Sequence, residues 1–171
     1  MKRVIIGITG ATGTIYGWRL MEMLRQEGET EIHLVMSKSA NLTLKMENAV
    51  DPSYINSLAH EVHSPGNIGA SISSGSFSSA GMIIAPCSIK TMSNIAMGNT
   101  GDLISRAADV ILKERRRLVV AIRETPLHAG HLGNLIKLAN LGSIIFPPVP
   151  AFYNRPKTLE EIVDQSCMRM L

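Results

Sequence analysis

Five short apolar runs, rich in β-branched residues and alternating with helical patterns, govern what this chain can fold into. They are Val4–Ile8, Ile32–Met36, Met82–Ala85, Leu118–Ile122 and Ser143–Phe146. Runs this brief, apolar at most positions, suit strands covered on both faces, as in parallel sheets. The spacing predicts helices over Ile15–Gln26, Ser39–Glu47, Ser53–Leu58, Ser88–Met97, Leu103–Arg115, His131–Leu141 and Leu159–Met170. Strand and helix in alternation predict an α/β fold: a doubly wound parallel sheet with helices on both faces. No repeat or linker composition interrupts residues 1–171, which read as a single domain.

Composition narrows the function classes. Apolar residues make up 45% of the chain, enough for a core without disulfides, and aromatics only 4%, so that core is aliphatic. The net charge of +3 is scattered apart from one cluster at Lys113, Arg115, Arg116 and Arg117. A nucleic-acid binder would show a basic stripe with interleaved aromatics, and none is present. A small anionic ligand suits the modest excess better. Cys87 and Cys167 are far apart and offer no metal spacing, as expected of reduced cytosolic thiols. Val4–Ile8 is too short for a signal sequence or membrane span, so the expectation is a soluble cytoplasmic protein.

In doubly wound sheets, ligands bind outside the carboxyl ends of the strands, and the chain's motifs follow its predicted strands. After the first comes Gly7-Ile8-Thr9-Gly10-Ala11-Thr12-Gly13, with Gly17 one turn on. Glycines there allow a tight turn and close approach of an anion to a helix N-terminus. The spacing G-x-x-G-x-x-G fits a phosphate or nucleotide site and equally a plain strand-to-helix turn. Atypical short-chain dehydrogenases carry a similar string, but their Tyr-x-x-x-Lys pair is missing here. After the third strand, Ala85-Pro86 ends the run, and Ser88 is positioned to cap a helix with Thr91 one turn on. That segment reads either as a capped helix or as hydroxyls and amides gathered around a phosphate or flavin edge. Asp51 before Pro52 is a further cap-and-first-turn signal. The stretch Ile68–Ser79, rich in Ser and Gly, reads as a surface loop. The cluster around Lys113 reads as a solvated helix end, Arg123-Glu124 as a surface pair, and His128 and His131, one turn apart, as structural or as supports behind other site residues.

Eight strings, in order along nearly the whole chain, resemble the UbiX-type flavin prenyltransferases. They are Thr9–Gly13, His33–Lys38, Ile72–Phe77, Ala85–Thr91, Arg106–Val110, Leu112–Arg116, Arg123–Leu127 and Pro150–Pro156. The same family includes small proteins encoded with phenolic-acid decarboxylases, and the chain resembles those equally. The resemblance implies a Rossmann-like flavoprotein that transfers a dimethylallyl group from dimethylallyl phosphate to reduced FMN. The product would serve a UbiD-type decarboxylase. It further implies a homo-oligomer built on trimers, up to a dodecamer, with sites near subunit contacts.

Residue by residue, the resemblance implies that Gly10, Ala11, Thr12, Ser37, Ser88, Ile89, Lys90, Thr91 and Arg123 hold FMN. Lys113, Arg123, Tyr153 and Arg169 would surround the dimethylallyl phosphate, with Glu124, Lys113 and Thr12 taking part in catalysis. Many relatives have serine at the position of Thr12, and both keep the hydroxyl. Gly133 stands where relatives often carry a carboxylate, and relatives usually continue into a basic, aromatic tail past the position of Leu171. Breaking the C–O bond of an allylic phosphate demands fixed positive charge on the departing group. Lysine and arginine can supply it, and the chain has no Asp-rich motif of the kind that holds Mg²⁺ on a diphosphate. The expectation is metal-independent chemistry. Two other readings fit parts of this pattern: an FMN-dependent peptidyl-cysteine decarboxylase, for which no catalytic histidine stands out, and a non-catalytic flavin carrier.

Overall fold

The computed structural model describes residues 1–47 and 50–171. Its strands are β1 (Lys2–Ile8), β2 (Thr30–Met36), β3 (Glu61–His63), β4 (Gly81–Cys87), β5 (Arg117–Ile122) and β6 (Ile144–Ile145). They form one sheet in the order β3-β2-β1-β4-β5-β6, and every pairing is parallel. The helices are α1 (Thr14–Glu27), α2 (Lys38–Glu47), α3 (Pro52–Leu58), α4 (Ile89–Ala96), α5 (Leu103–Lys113), α6 (Ala129–Asn140) and α7 (Leu159–Met170).

Alternation along the strands creates two cores. Ile5, Val35, Met82, Ile84, Leu118 and Val120 point to one face, where α4 and α5 cover them with Met92, Ile95, Ile104, Ala108 and Ile111. Ile6, Ile8, Ile32, Leu34, Ile83 and Ala85 point to the other, under Leu20, Met21 and Leu24 of α1, Leu44 of α2, Ile55 of α3 and Val163 of α7. Central strands buried on both faces explain why the runs are apolar at consecutive positions. Gly17 permits a close approach: a methyl there would lie 2.4 Å from the Ala85 carbonyl oxygen and 2.7 Å from Ile8 side-chain carbons. α1 therefore lies directly on β1 and β4.

Three local expectations change. Pro86 does not end the strand; β4 runs through it to Cys87, and the ladder to β5 shifts register between Ile84 and Cys87, which removes the need for a proline N–H. β3 is an added edge strand of three residues, too short to show a hydrophobic period. The serine-rich stretch contains a 3₁₀ turn at Ser71–Ser73 with Ile72 buried. Arg116 fastens it by donating to the Phe77 carbonyl at 2.6 Å and the Gly75 carbonyl at 2.9 Å. One arginine of the apparent solvated cluster thus holds a loop 39 residues away.

Candidate functional site

The strand order reverses between β1 and β4, so their outgoing loops run to opposite sides and leave a crevice at the carboxyl edge. Hydrogen bonds lace the loops together there. The Thr9 hydroxyl, buried, donates to the Pro86 carbonyl at 2.7 Å and accepts from the Ser88 amide at 2.8 Å. The Ser37 amide donates to the Ile8 carbonyl at 3.0 Å, and the Arg123 amide to the Cys87 carbonyl at 3.4 Å. Four consecutive loops, after β2, β1, β4 and β5, are therefore held edge to edge by their own backbones.

Gly10–Thr12, Ser37, Ser88 and Arg123 stand on these four loops, and Ile89–Thr91 form the first turn of α4 that follows one of them. Gly10 lies against α2, where a methyl would come within 2.4 Å of the Ser39 Cβ. Gly13 opens α1 in the left-handed region at φ 94°, without a side-chain cap of its own. Ser88 caps α4, its hydroxyl accepting from the Thr91 amide at 3.3 Å and lying 3.2 Å from the Thr91 hydroxyl. Ser37 turns its hydroxyl to the Ala40 amide at 3.0 Å. Arg123 and Glu124 are exposed just beyond β5, and the Glu124 carboxylate accepts from the Thr125 amide at 3.0 Å. Burial pushes the Tyr16 phenol above its ordinary range, with Cys167 adding to the rise and the charge of Arg123 opposing it.

Two of the amides that open α1, those of Gly13 and Thr14, are already taken. Glu47, at the end of α2, accepts from the Thr12 hydroxyl at 2.7 Å, the Gly13 amide at 2.5 Å, and the Thr14 amide and hydroxyl at 3.0 and 2.5 Å. Burial alone would raise this carboxyl, but the donated bonds from Thr14, Gly13 and Thr12 outweigh it and hold it below its ordinary value. Sequence reasoning passed Glu47 over. The available signal was its place in the last turn of a helix, where the dipole disfavours a carboxylate unless a partner outside the helix compensates. A second anion is repelled from the α1 N-terminus by this one. Helices also open at Ser37 and Ser88, where hydroxyls and amides can donate to an anion.

The other expected phosphate-binding residues are not gathered in one chain. Lys113 ends α5 beside the amino end of β5, exposed and paired with Glu114. It is separated from Arg123 by the full length of β5, about 20 Å at the usual strand rise. Arg169 lies over the Phe146 ring at 5.7 Å and lines a cavity of about 420 Å³ with Lys2, Thr30, Gly81 and Arg117, residues at the amino edge of the sheet. Tyr153 is 82% exposed, its hydroxyl 3.5 Å from the Gln165 amide nitrogen. A second cavity, of about 560 Å³, also lies at the amino edge, between Lys113, Arg115, Arg116 and Asn140–Gly142. Its position opposes the rule that such sheets bind ligands at their carboxyl ends, which favours the laced loops as the site.

His128 caps α6 by accepting through Nδ1 from the Gly130 and His131 amides at 3.0 and 3.4 Å, and its ring stacks on His131. The pair is structural here.

Comparison with known proteins gives a consistent result. The family described as Flavoprotein matches residues 1–171. The flavin prenyltransferase UbiX of Escherichia coli K12 is 52% identical over 171 residues, covering 100% of this chain and 90% of that protein. The crystal structure of AnUbiX (PadA1) in complex with FMN and dimethylallyl pyrophosphate superposes with a TM-score of 0.97 at 49% identity, covering 99% of this chain and 90% of that one. A dodecameric FMN-dependent Ubix-like decarboxylase from Escherichia coli O157:H7 matches with a TM-score of 0.96 at 45% identity, over 99% of this chain and 92% of that one.

Proposed function

The chain belongs to the UbiX-type flavin prenyltransferases within the Flavoprotein family, and we propose that it moves the dimethylallyl group of dimethylallyl phosphate onto reduced FMN in a site completed by neighbouring copies. One observation carries this reading: the loops after β1, β2, β4 and β5 are hydrogen-bonded into a single carboxyl-edge platform. That platform offers amides, the hydroxyls of Ser37, Ser88 and Thr91, and the cations Lys90 and Arg123. Such a donor set fits FMN: hydroxyls and amides for its phosphate, glycine-lined backbone at Gly10 for close approach, and a guanidinium for the electron-rich ring.

Bound reduced FMN supplies the nucleophilic ring to which the dimethylallyl carbon is joined. The chain's task is to take charge of the phosphate that leaves with the C–O electron pair. Lys113, Arg123 and Arg169 supply positive charge and Tyr153 a phenolic donor, so the charge comes from side chains rather than from a metal held by Asp-rich pairs. Glu124 takes the proton released as the new ring closes, and Thr12 holds its hydroxyl at the wall that Glu47 forms.

The same separation supports assembly. Lys113 meets Arg123 only if different copies contribute them, and the surface has the apolar area that copies need. Leu132, Ile136 and Leu141 of the α6 region are 48%, 62% and 55% exposed, and Phe152 beside Tyr153 is 71% exposed. These residues support a homo-oligomer built on trimers, with a dodecamer as the larger form. The product passes to a UbiD-type decarboxylase in the cytoplasm. Among the described residues no helix is long and apolar enough to cross a membrane.

Anaerobic incubation with reduced FMN and dimethylallyl phosphate is expected to raise the flavin mass by one dimethylallyl unit. Dimethylallyl diphosphate in a parallel reaction reports the phosphate preference. An unchanged flavin mass with both donors would refute the assignment.

A further inference from the structure

His33 and His63 are 30 residues apart in sequence yet stand on adjacent parallel strands, β2 and β3. Both are buried, at 1% and 6% exposure. Their rings stack with centroids 5.3 Å apart, and His33 Nδ1 lies 3.0 Å from His63 Nε2. Glu61, paired opposite His33 in the ladder, brings a carboxylate oxygen to 3.4 Å from the same Nδ1. All three ligand atoms lie within 4.8 Å of one another.

The surroundings fix the chemistry of this cluster. His33 Nε2 is 2.9 Å from Glu31, whose other oxygen accepts from Arg3 at 3.1 Å. A carboxylate draws the ring proton to Nε2, which turns the Nδ1 lone pair toward the shared space. Burial holds the His63 imidazole below its ordinary value, with Glu61 opposing and His33 adding to the effect. Two imidazole nitrogens bound to one tetrahedral ion at about 2.0–2.1 Å would stand roughly 3.3 Å apart, a few tenths of an ångström from the observed gap. Glu61 is half exposed, which leaves an ion a way in.

We propose that His33, His63 and Glu61 form a structural site for one divalent first-row metal ion, Zn²⁺ foremost, with water as the fourth ligand. Two imidazoles and one carboxylate are the donor set such ions prefer, and Glu31 is the outer carboxylate that orients a ligating histidine. The ion has no part in the flavin chemistry. It pins the three-residue edge strand β3 to β2 and stiffens the loop above, because the Phe77 ring meets His33 edge-on at 4.8 Å and carries Arg3 over its face at 5.2 Å.

The test is titration of the assembled, chelator-stripped protein with Co²⁺, followed by displacement with Zn²⁺. The expected result is saturation at one Co²⁺ per chain with the visible absorption of a four-coordinate site. Saturating Zn²⁺ is expected to raise the thermal midpoint by about 5–10 °C. Glu61→Gln, at a half-exposed position that keeps the fold, should weaken Co²⁺ binding at least about tenfold. His131→Gln should leave it unchanged, which separates the site from the stacked pair on α6. Absence of saturable binding, or titration of Glu61→Gln identical to the parent protein, overturns the proposal.

Discussion

Glu124→Gln is expected to slow prenyl transfer by about 10²–10⁴-fold while flavin still binds. The carboxylate is exposed beyond β5, and among the described residues its bond is accepted from the Thr125 amide. A glutamine carbonyl accepts the same bond, so the loop keeps its shape and only proton acceptance is lost. Anaerobic single-turnover assays measure the step directly, and titration of FMN against the variant measures binding separately. A variant that turns over like the parent chain would remove Glu124 from the chemistry.

Lys113→Ala is expected to lower transfer by about 10²–10³-fold, through lost charge stabilisation of the departing phosphate. Among the described residues the ammonium pairs with the adjacent Glu114 at the surface. Exposed pairs of this kind contribute little to stability. A loss of transfer without a loss of stability or flavin affinity would place the ammonium in a neighbour's site, as proposed. The readouts are the single-turnover rate, expected to fall, and the thermal midpoint and FMN affinity, both expected to hold.

The five buried strands were legible because each is covered on both faces, and that burial is written as an uninterrupted apolar run. The caps at Asp51 and Ser88 were legible because each needs only one hydroxyl or carboxylate at one position. β3 was not, since three edge residues carry no period. Pro86 misled because a proline normally ends a ladder, whereas here the ladder shifts register around it. At the site, the glycine turn and the Ser88 segment announced themselves by local spacing. Glu47, Arg116 and the His33–His63 pair did not. Each acts on partners about 30 to 40 residues away, across loops or adjacent strands, and no spacing rule within one segment encodes such a pairing.

The proposed reach of Lys113 across a subunit boundary can be measured by mixing. Lys113→Ala and Glu124→Gln chains, each nearly inactive alone, are dissociated, combined in equal amounts and reassembled. If each site draws the two residues from different chains, roughly a quarter of the sites regain both and activity returns to that fraction of the parent protein. Activity that stays at the sum of the two separate variants would mean that one chain supplies the whole site, and the proposed shared crevice would be wrong.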